Sequence, residues 1–148
     1  MTLDREALAE LIPHAGDMCL LDEVVAWDGD RIRCRTRSHL LADHPLRREG
    51  RLRSLHAVEY GAQAMAIHGG LLAREQGDEV GGAAYLAAVR DLRLERDDLD
   101  AVAEPLEVEA ERLLAGGGNM MYGFTIRYPD GRTVATGRAM VMAPEEIE

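Results

Sequence analysis

The sequence contains no lysine, and all 17 of its basic side chains are arginine. This absence excludes Schiff-base catalysis, which needs a lysine amine. It also excludes a phosphate-binding loop of the Walker type, in which a lysine contacts the phosphates. Only two cysteines are present, and they form no Cys-x-x-Cys pair. We therefore interpret Cys19 and Cys34 as buried, reduced thiols and not as a disulfide or a metal site.

The chain also lacks a basic excess, since 27 acidic residues against 17 basic ones give a net charge of −10. This balance argues against a protein that binds nucleic acid. The histidines show no His-x-x-x-His or similar ligand spacing, so we expect no metal, and we expect no other cofactor. The five histidines are His14, His39, His44, His56 and His68.

No apolar run is long enough to cross a membrane. The longest weakly polar stretch, residues 57–73, includes Glu59, Gln63 and His68 and is too short and too polar for a lipid span. The first residues, Met-Thr-Leu-Asp-Arg-Glu, lack the basic start and apolar stretch of a secretory signal. We therefore expect a cytoplasmic protein with no membrane partner. A content of 47% apolar residues is enough for one core, and we expect a single domain over residues 1–148.

The apolar pattern predicts a short helix, two strands, one long helix and four further strands. Ser54 is expected to cap the long helix. That helix is rich in glycine and alanine, which fits an α+β domain in which a sheet wraps closely around one helix. The predicted helices cover residues 3–11 and 54–76, and the predicted strands cover residues 18–27, 31–37, 83–94, 105–114, 120–128 and 133–142.

Two of the predicted strands carry alternating charges. Residues 31–37 place four arginines on one face, and residues 105–114 alternate three glutamates with apolar residues. Strict alternation is typical of a half-buried strand, so we interpret both charged rows as solvent-facing sheet surface.

One cluster of polar side chains lies on the long helix. His56, Glu59 and Gln63 are three and four residues apart, so they share one helix face. Because the rest of this face is alanine-rich, a carboxyl group here is desolvated, which favours the protonated form that acts as a general acid. The pattern alone also fits an ordinary solvated glutamate.

Several segments, in order, match the motifs of one enzyme family. Residues 11–24 run from Leu-Ile-Pro-His to a strand ending in Asp-Glu-Val, and residues 43–45 are Asp-His-Pro. Residues 59–63 place Ala-Gln at the third and fourth positions after an acid, and residues 85–94 follow as a strand. The chain thus resembles the β-hydroxyacyl-[acyl carrier protein] dehydratases. With His-Pro-Leu-Arg-Arg-Glu-Gly at residues 44–50, it looks most like the divergent dehydratases of aryl polyene gene clusters.

The resemblance implies a hot-dog fold, with an antiparallel six-stranded sheet wrapped around one long central helix. It also implies a dimer in which the histidine of one subunit and the helix acid of the other face a tunnel. On this sequence His44 would be the base that removes the α-proton of a 3-hydroxyacyl thioester, and Glu59 would protonate the departing hydroxyl. Gln63 would hold Glu59 in place. Free backbone N–H groups near Leu55 and His56 would polarise the thioester carbonyl.

The sequence departs from the family between the histidine and the acid. The family's Pro-x-x-Pro-Gly stretch is replaced by Arg-Leu-Arg-Ser at residues 51–54, and the spacing from His44 to Glu59 is 15 residues, one more than in the family. Two alternatives follow: an altered active site, or a subunit that needs a partner. His56 is an alternative working histidine, because it lies beside Glu59 on the helix. We interpret the other three histidines as structural.

Four arginines follow His44 and form a dense basic cluster. Acyl carrier proteins are acidic and carry a phosphorylated arm, so this cluster is expected to recruit one, although a solvated loop fits the sequence equally well. The four residues are Arg47, Arg48, Arg51 and Arg53.

The sequence therefore predicts a 3-hydroxyacyl-[acyl carrier protein] dehydratase of fatty-acid or polyene-type biosynthesis. The alternatives are a non-catalytic acyl-binding subunit of a hot-dog heterodimer and a hot-dog thioesterase, since a fold does not decide a function. We expect a homodimer or higher homo-oligomer, or a heterodimer with a related subunit, in which the strand over residues 83–94 pairs with its counterpart. The strand order of the family also places the arginine row opposite the glutamate row.

Overall fold

The computed structural model describes residues 2–9, 11, 19–77, 85–100, 103–116 and 119–142. Two helices and six strands follow one another in the predicted order. They are α1 (Arg5–Ala9), β1 (Glu23–Trp27), β2 (Arg31–Thr36), α2 (Ala57–Glu75), β3 (Tyr85–Leu94), β4 (Leu106–Gly116), β5 (Asn119–Arg127) and β6 (Thr133–Met142). Single 3-10 turns at Ser38–Leu40 and Ser54–His56 lie between β2 and α2.

The six strands form one antiparallel sheet in the order β1-β2-β4-β5-β6-β3. Alternate residues of the strands face α2, and these inward side chains build the core with the helix. Tyr60 of α2 and Tyr122, Phe124 and Ile126 of β5 are among the buried side chains. The sheet wraps one long helix, so the predicted hot-dog architecture is confirmed.

Gly61 lets the helix approach the sheet closely. A Cβ atom added at Gly61 would lie 2.8 Å from Cγ of Phe124, far inside van der Waals contact. Gly137 on β6 faces the same ring, where an added Cβ would lie 2.7 Å from Cζ of Phe124. Phe124 thus fills a space that two missing side chains create. The small residues of α2 have the role expected from the sequence.

The charged rows of β2 and β4 lie opposite each other, as predicted. The register pairs Arg31 with Glu111 and Arg35 with Glu107. The guanidinium of Arg35 lies 3.6 Å from Glu107, and Arg127 of β5 continues the row with a 2.8 Å contact to Glu109. Each such half-exposed pair contributes only about 0.2–1 kcal/mol, so the row fixes register more than it adds stability.

The predicted start of the first strand is wrong. The first strand begins at Glu23 and not near residue 18, because the backbone of Leu20 is bonded to side chains: its N–H to Gln63 and its carbonyl to Thr36 and Ser38. Residues 12–18, which include His14, lie outside the described part of the chain.

Ser54 does not cap α2. Its hydroxyl donates to the carbonyl of Arg96, so the oxygen is directed at the β3–β4 connection. The helix starts after a 3-10 turn, with His56 at the N-cap position and without a side-chain capping bond.

Buried polar residues elsewhere behave as the sequence suggests. Cys19 and Cys34 are free, buried thiols, as predicted. His39 Nε2 lies 2.7 Å from the carbonyl of Glu104. His68 Nε2 lies 2.7 Å from the carbonyl of Asp28, and its Nδ1 lies 2.6 Å from a tyrosine hydroxyl. These contacts agree with the structural roles expected for both histidines.

β3 forms one edge of the sheet. It is hydrogen-bonded to β6 on one side, and no described strand pairs with its other side. Leu86 and Leu94 on this strand are exposed. An unpaired edge with exposed apolar side chains is a template for pairing with another chain.

Within the described residues, no helix is both long and apolar enough to traverse a bilayer.

The contact between Gly61 and Phe124 predicts opposite effects for two glycine substitutions in α2. Gly61→Ala should lower the free energy of unfolding, because overpacking costs of about 1–3 kcal/mol exceed the helix-propensity gain of about 1 kcal/mol. The matched control is Gly69→Ala, where an added Cβ meets nothing within 4 Å. This change should stabilise the protein by up to about 1 kcal/mol. Urea unfolding measures both, and equal stability of the two variants would contradict the packing.

The exposed edge of β3 predicts a dimer. Light scattering at micromolar concentration should give twice the mass of one chain. Leu86→Arg should favour the monomer, because it places like charges at a paired edge. The control is Leu113→Arg, an equally exposed leucine on β4, which lies inside the sheet; it should remain dimeric. A wild-type monomer, or two variants that dissociate equally, would refute pairing through β3.

Candidate active site

His44 lies in the loop between the Ser38–Leu40 turn and α2, and only 4% of its surface is exposed. Its Nδ1 lies 3.0 Å from the backbone N–H of Leu46, and its Nε2 lies 3.0 Å from the hydroxyl of Tyr60. A backbone N–H only donates, so Nδ1 is the acceptor and carries no proton. The neutral ring therefore carries its proton on Nε2 and donates it to Tyr60.

The hydrogen bonds continue inward from Tyr60. Its hydroxyl lies 2.7 Å from Oγ of Ser38, which donates in turn to the carbonyl of Leu20 at 2.6 Å. Thr36 donates to the same carbonyl at 2.6 Å. His44 thus donates to Tyr60, Tyr60 donates to Ser38, and Ser38 donates to the carbonyl of Leu20. This series of hydrogen bonds ends at the carbonyl, which has no proton to donate.

Burial sets the protonation state of His44 and Tyr60, the two aromatic residues in this series of hydrogen bonds. It lowers the pKa of His44, and the positive charge of Arg47 lowers it further. His44 is therefore neutral at neutral pH. Burial also raises the pKa of Tyr60 well above its usual range. Both groups are held in their neutral forms.

Glu59 and His56 lie on the first turn of α2 and are accessible. Glu59 is exposed, and His56 is half-buried at the N-cap position. Neither side chain makes a hydrogen bond or an ion pair with any described residue. Both therefore have their polar atoms available to a ligand or to a second subunit. The structure brings His44, His56 and Glu59 to the same end of α2.

Gln63 is buried one turn further along α2. Its side-chain oxygen accepts a 2.8 Å hydrogen bond from the backbone N–H of Leu20. This bond ties the segment before β1 to the helix. The predicted task of Gln63 in holding Glu59 in place stays a prediction.

The predicted backbone donors near the start of α2 differ from each other. The N–H of His56 donates to the carbonyl of Arg53 at 3.1 Å, so it is already engaged. The N–H of Leu55 has no acceptor within the described part of the chain. Leu55 also presents an apolar side chain that is 59% exposed.

The arginine cluster is divided by the fold. Arg47 is turned inward, with a 12% exposed side chain that lies 2.7 Å from Asp100 and also bonds the carbonyls of His39 and Leu41. Arg51 forms a two-oxygen pair with an aspartate of the β3–β4 connection. Arg48 and Arg53 are exposed. Three of the four arginines therefore reach the surface.

Two cavities stand out among the described residues. The smaller, about 190 Å³, is lined by His44, Cys19 and Leu41, among others. The larger, about 410 Å³, is lined mainly by charged and threonine side chains on the outer face of the sheet, including Glu109 and Arg138. The outer groove lies on the side away from α2, so it is not the site of the histidines and Glu59. Within the described residues, no group of three or more potential ligands is arranged to hold a metal.

Sequence reasoning missed Tyr60, Ser38 and Thr36. Tyr60 follows Glu59 directly, and a tyrosine on the inner side of a helix needs a hydrogen-bond partner for its hydroxyl. This requirement could have identified Tyr60 as part of a polar cluster. Its partners come from a different part of the chain and have no recognisable spacing.

Solved structures with the same fold include the dehydratase heterocomplex ApeI:P from Xenorhabdus doucetiae. The identity is 22%, the TM-score is 0.83, and the match covers 94% of this chain and 91% of that one. The thioesterase HI1161 from Haemophilus influenzae matches with 18% identity and a TM-score of 0.62 over 99% of this chain and 94% of that one. The E. coli PaaI protein from the phenylacetic acid degradation operon matches with 16% identity and a TM-score of 0.59 over 80% of each chain. A search of curated proteins found no match.

These structural likenesses show the hot-dog fold. The evidence for the family is separate: the model of the ApeP-like family, described as ApeP dehydratase, matches residues 6–148. The match includes α2 with Glu59 and the loop with His44, and it agrees with the resemblance seen in the sequence. The chain therefore belongs to the ApeP-like dehydratase family.

Proposed function

We propose that the chain is a subunit of a dehydratase that acts on 3-hydroxyacyl groups carried as thioesters on an acyl carrier protein, in fatty-acid or polyene-type biosynthesis. One observation carries the proposal: in a chain of a dehydratase family, Glu59 and His56 are accessible and unpaired on the first turn of the central helix. A carboxyl group and an imidazole are the acid and base that this elimination needs.

The chemistry requires two proton transfers. A base removes the proton on C2, the electrons of that bond form the C2=C3 double bond, and the C3–O bond breaks. Glu59, in its protonated form, gives its proton to the departing hydroxyl, which leaves as water. The resemblance assigns the base to His44, with His56 as the alternative. Gln63 and the N–H of Leu55 are the proposed supports for Glu59 and for the thioester carbonyl.

The site needs walls from a second subunit. The cavity beside His44 measures about 190 Å³, below the roughly 300–1,000 Å³ of typical ligand pockets, and Glu59 is open to solvent on the isolated chain. Pairing through β3 would bring a second hot-dog chain to this side. The partner is a second copy or a related chain, and the Xenorhabdus doucetiae structure with this fold is that of a dehydratase heterocomplex.

We propose that Arg48, Arg51 and Arg53 contact the carrier protein. They reach the surface just before α2, in a chain whose net charge is otherwise −10. A local positive patch attracts an acidic carrier and the phosphate of its prosthetic arm, despite the overall charge. Arg47 is paired with Asp100 and stabilises the loop between β2 and α2.

One observation favours a second candidate, a non-catalytic subunit of a heterodimer. Both ring nitrogens of His44 are engaged within the chain. If the histidine assigned by the resemblance were the only base available, a dimer of identical chains would lack a free base. The two candidates differ in whether this chain alone supplies a working site.

The proposed reaction predicts the effect of one substitution. Glu59→Gln should lower the rate of enoyl-thioester formation by a factor of about 10²–10⁴, because the amide fills the space of the acid but does not deliver the proton. The rate is followed by ultraviolet absorbance with a 3-hydroxyacyl carrier protein, for the chain alone and after co-expression with a related hot-dog chain.

The matched control is Glu75→Gln, an exposed glutamate at the other end of α2, which should leave the rate unchanged. Release of free thiol without enoyl product would identify a thioesterase. Equal activity of Glu59→Gln and the wild type in the co-expressed complex would identify a non-catalytic subunit.

A further inference from the structure

We infer that Asp100 is a positioning residue of the proposed active site, which acts through Arg47 on the loop that carries His44. The inference rests on the proposed function and adds to it a residue from the connection between β3 and β4. It follows from one largely buried guanidinium group, which joins the carboxylate of Asp100 to three carbonyl groups of the loop.

Arg47 holds the loop between β2 and α2 at several points. Its guanidinium donates to the carbonyl of His39 at 2.9 Å, to that of Leu41 at 3.1 Å and to that of Gly50 at 3.3 Å. The carbonyl of Leu41 also accepts the backbone N–H of His44 at 3.3 Å. Because Arg47 and His44 are bonded to the same oxygen, the position of the guanidinium restrains the position of the His44 backbone.

Asp100 fixes the guanidinium in turn. Its carboxylate accepts a 2.7 Å hydrogen bond from Nη1 of Arg47, and the two side chains are only 28% and 12% exposed. A short charge-assisted bond with little water around it is stronger than an exposed ion pair. The donors of an arginine lie in one rigid plane, so an anchored guanidinium presents its other N–H groups to the carbonyls in a fixed direction. Asp100 therefore determines where the loop is held.

The loop and the β3–β4 connection lie side by side beyond this ion pair. The N–H of Leu99 donates to the carbonyl of Leu52, and the N–H of Ser54 donates to the carbonyl of Asp97, both at 2.9 Å. These bonds involve the stretch in which the sequence has Arg-Leu-Arg-Ser where the resembled family has Pro-x-x-Pro-Gly. Contacts with the β3–β4 connection thus take the place of the restraint that a proline ring puts on the backbone.

The position of the loop matters because a base works only within hydrogen-bond reach of the proton that it removes. A misplacement of about 1 Å costs a factor of about 10² in rate. Asp100 is not among the described residues that line the cavity beside His44. Its effect on the reaction therefore passes through the loop and not through contact with the substrate.

Asp100→Asn tests the inference in the assembly that forms enoyl product. The amide keeps the size of the side chain but lacks the charge, so Arg47 loses its anchor and kcat should fall by about 10–100-fold, as for a misplaced base. KM for the carrier protein should stay near the wild-type value, because the proposed carrier contacts are other arginines and binding without positioning affects KM alone.

Glu104→Gln is the matched control, since it removes an ion pair with Arg132 from the same connection and should change neither constant. Arg47→Lys keeps the charge in the loop but not the planar fork, so it should lower kcat as Asp100→Asn does. The two changes together should cost no more than the larger one alone. A wild-type kcat in Asp100→Asn, an equal loss in the control, or additive losses in the double variant would overturn the inference and leave the proposed function intact.

The histidine rings report on the same question without turnover. In ¹⁵N-labelled protein at neutral pH, Asp100→Asn should shift or broaden the ring-nitrogen signals of His44, because its bonds to Leu46 and Tyr60 depend on the loop. The signals of His68, which is bonded outside this loop, should not change. Unchanged His44 signals, or an equal change at His68, would contradict the inference. The proposed function fails separately, if the wild-type protein forms no enoyl product in any assembly.

Discussion

The buried hydroxyl of Tyr60 is the group around which the start of α2 is organised. A hydroxyl away from water needs hydrogen-bond partners, and two loops supply them: Ser38 from the turn after β2 and His44 from the segment that follows. Ser38 is fixed in turn by the carbonyl of Leu20, whose N–H is held by Gln63. The helix, the segment before β1 and the loop that carries His44 are thus joined by one set of hydrogen bonds.

This set of bonds separates two kinds of polar residue at the same end of the helix. Tyr60, Ser38 and His44 face inward and satisfy one another, so they stabilise the loop and stay neutral. Glu59 and His56 face outward and have no described partner. The inward polar groups hold the loop and the helix in place, whereas the polar atoms of Glu59 and His56 are accessible.

Much of the fold follows from local patterns. Alternation of arginine and glutamate was enough to predict β2 and β4 as half-buried strands, because a strand has only two faces. Their position opposite each other was predicted from the strand order of the resembled family. The glycine and alanine content of α2 predicted a closely wrapped helix, and Gly61 against Phe124 shows why. The capping role of Ser54 was wrong, since its hydroxyl bonds Arg96, which is 42 residues away. Partners so distant in sequence have no local pattern.

The site was predicted less completely for the same reason. Spacing on one helix identified His56, Glu59 and Gln63 as neighbours, but it did not show that Glu59 faces outward while Gln63 holds Leu20. The inward turn of Arg47 depends on Asp100, more than 50 residues further along the chain. The remaining walls of the proposed site would come from a second subunit, which no pattern within one chain describes.

The position of the proton on His44 tests this account most directly. A two-bond proton–nitrogen correlation spectrum of the ¹⁵N-labelled protein at neutral pH separates protonated from bare ring nitrogens, and the His44→Gln spectrum assigns the signals. We expect a single form, with the proton on Nε2 and a bare Nδ1 that accepts the Leu46 N–H. A proton on Nδ1, with a bare Nε2, would contradict this arrangement of hydrogen bonds around Tyr60.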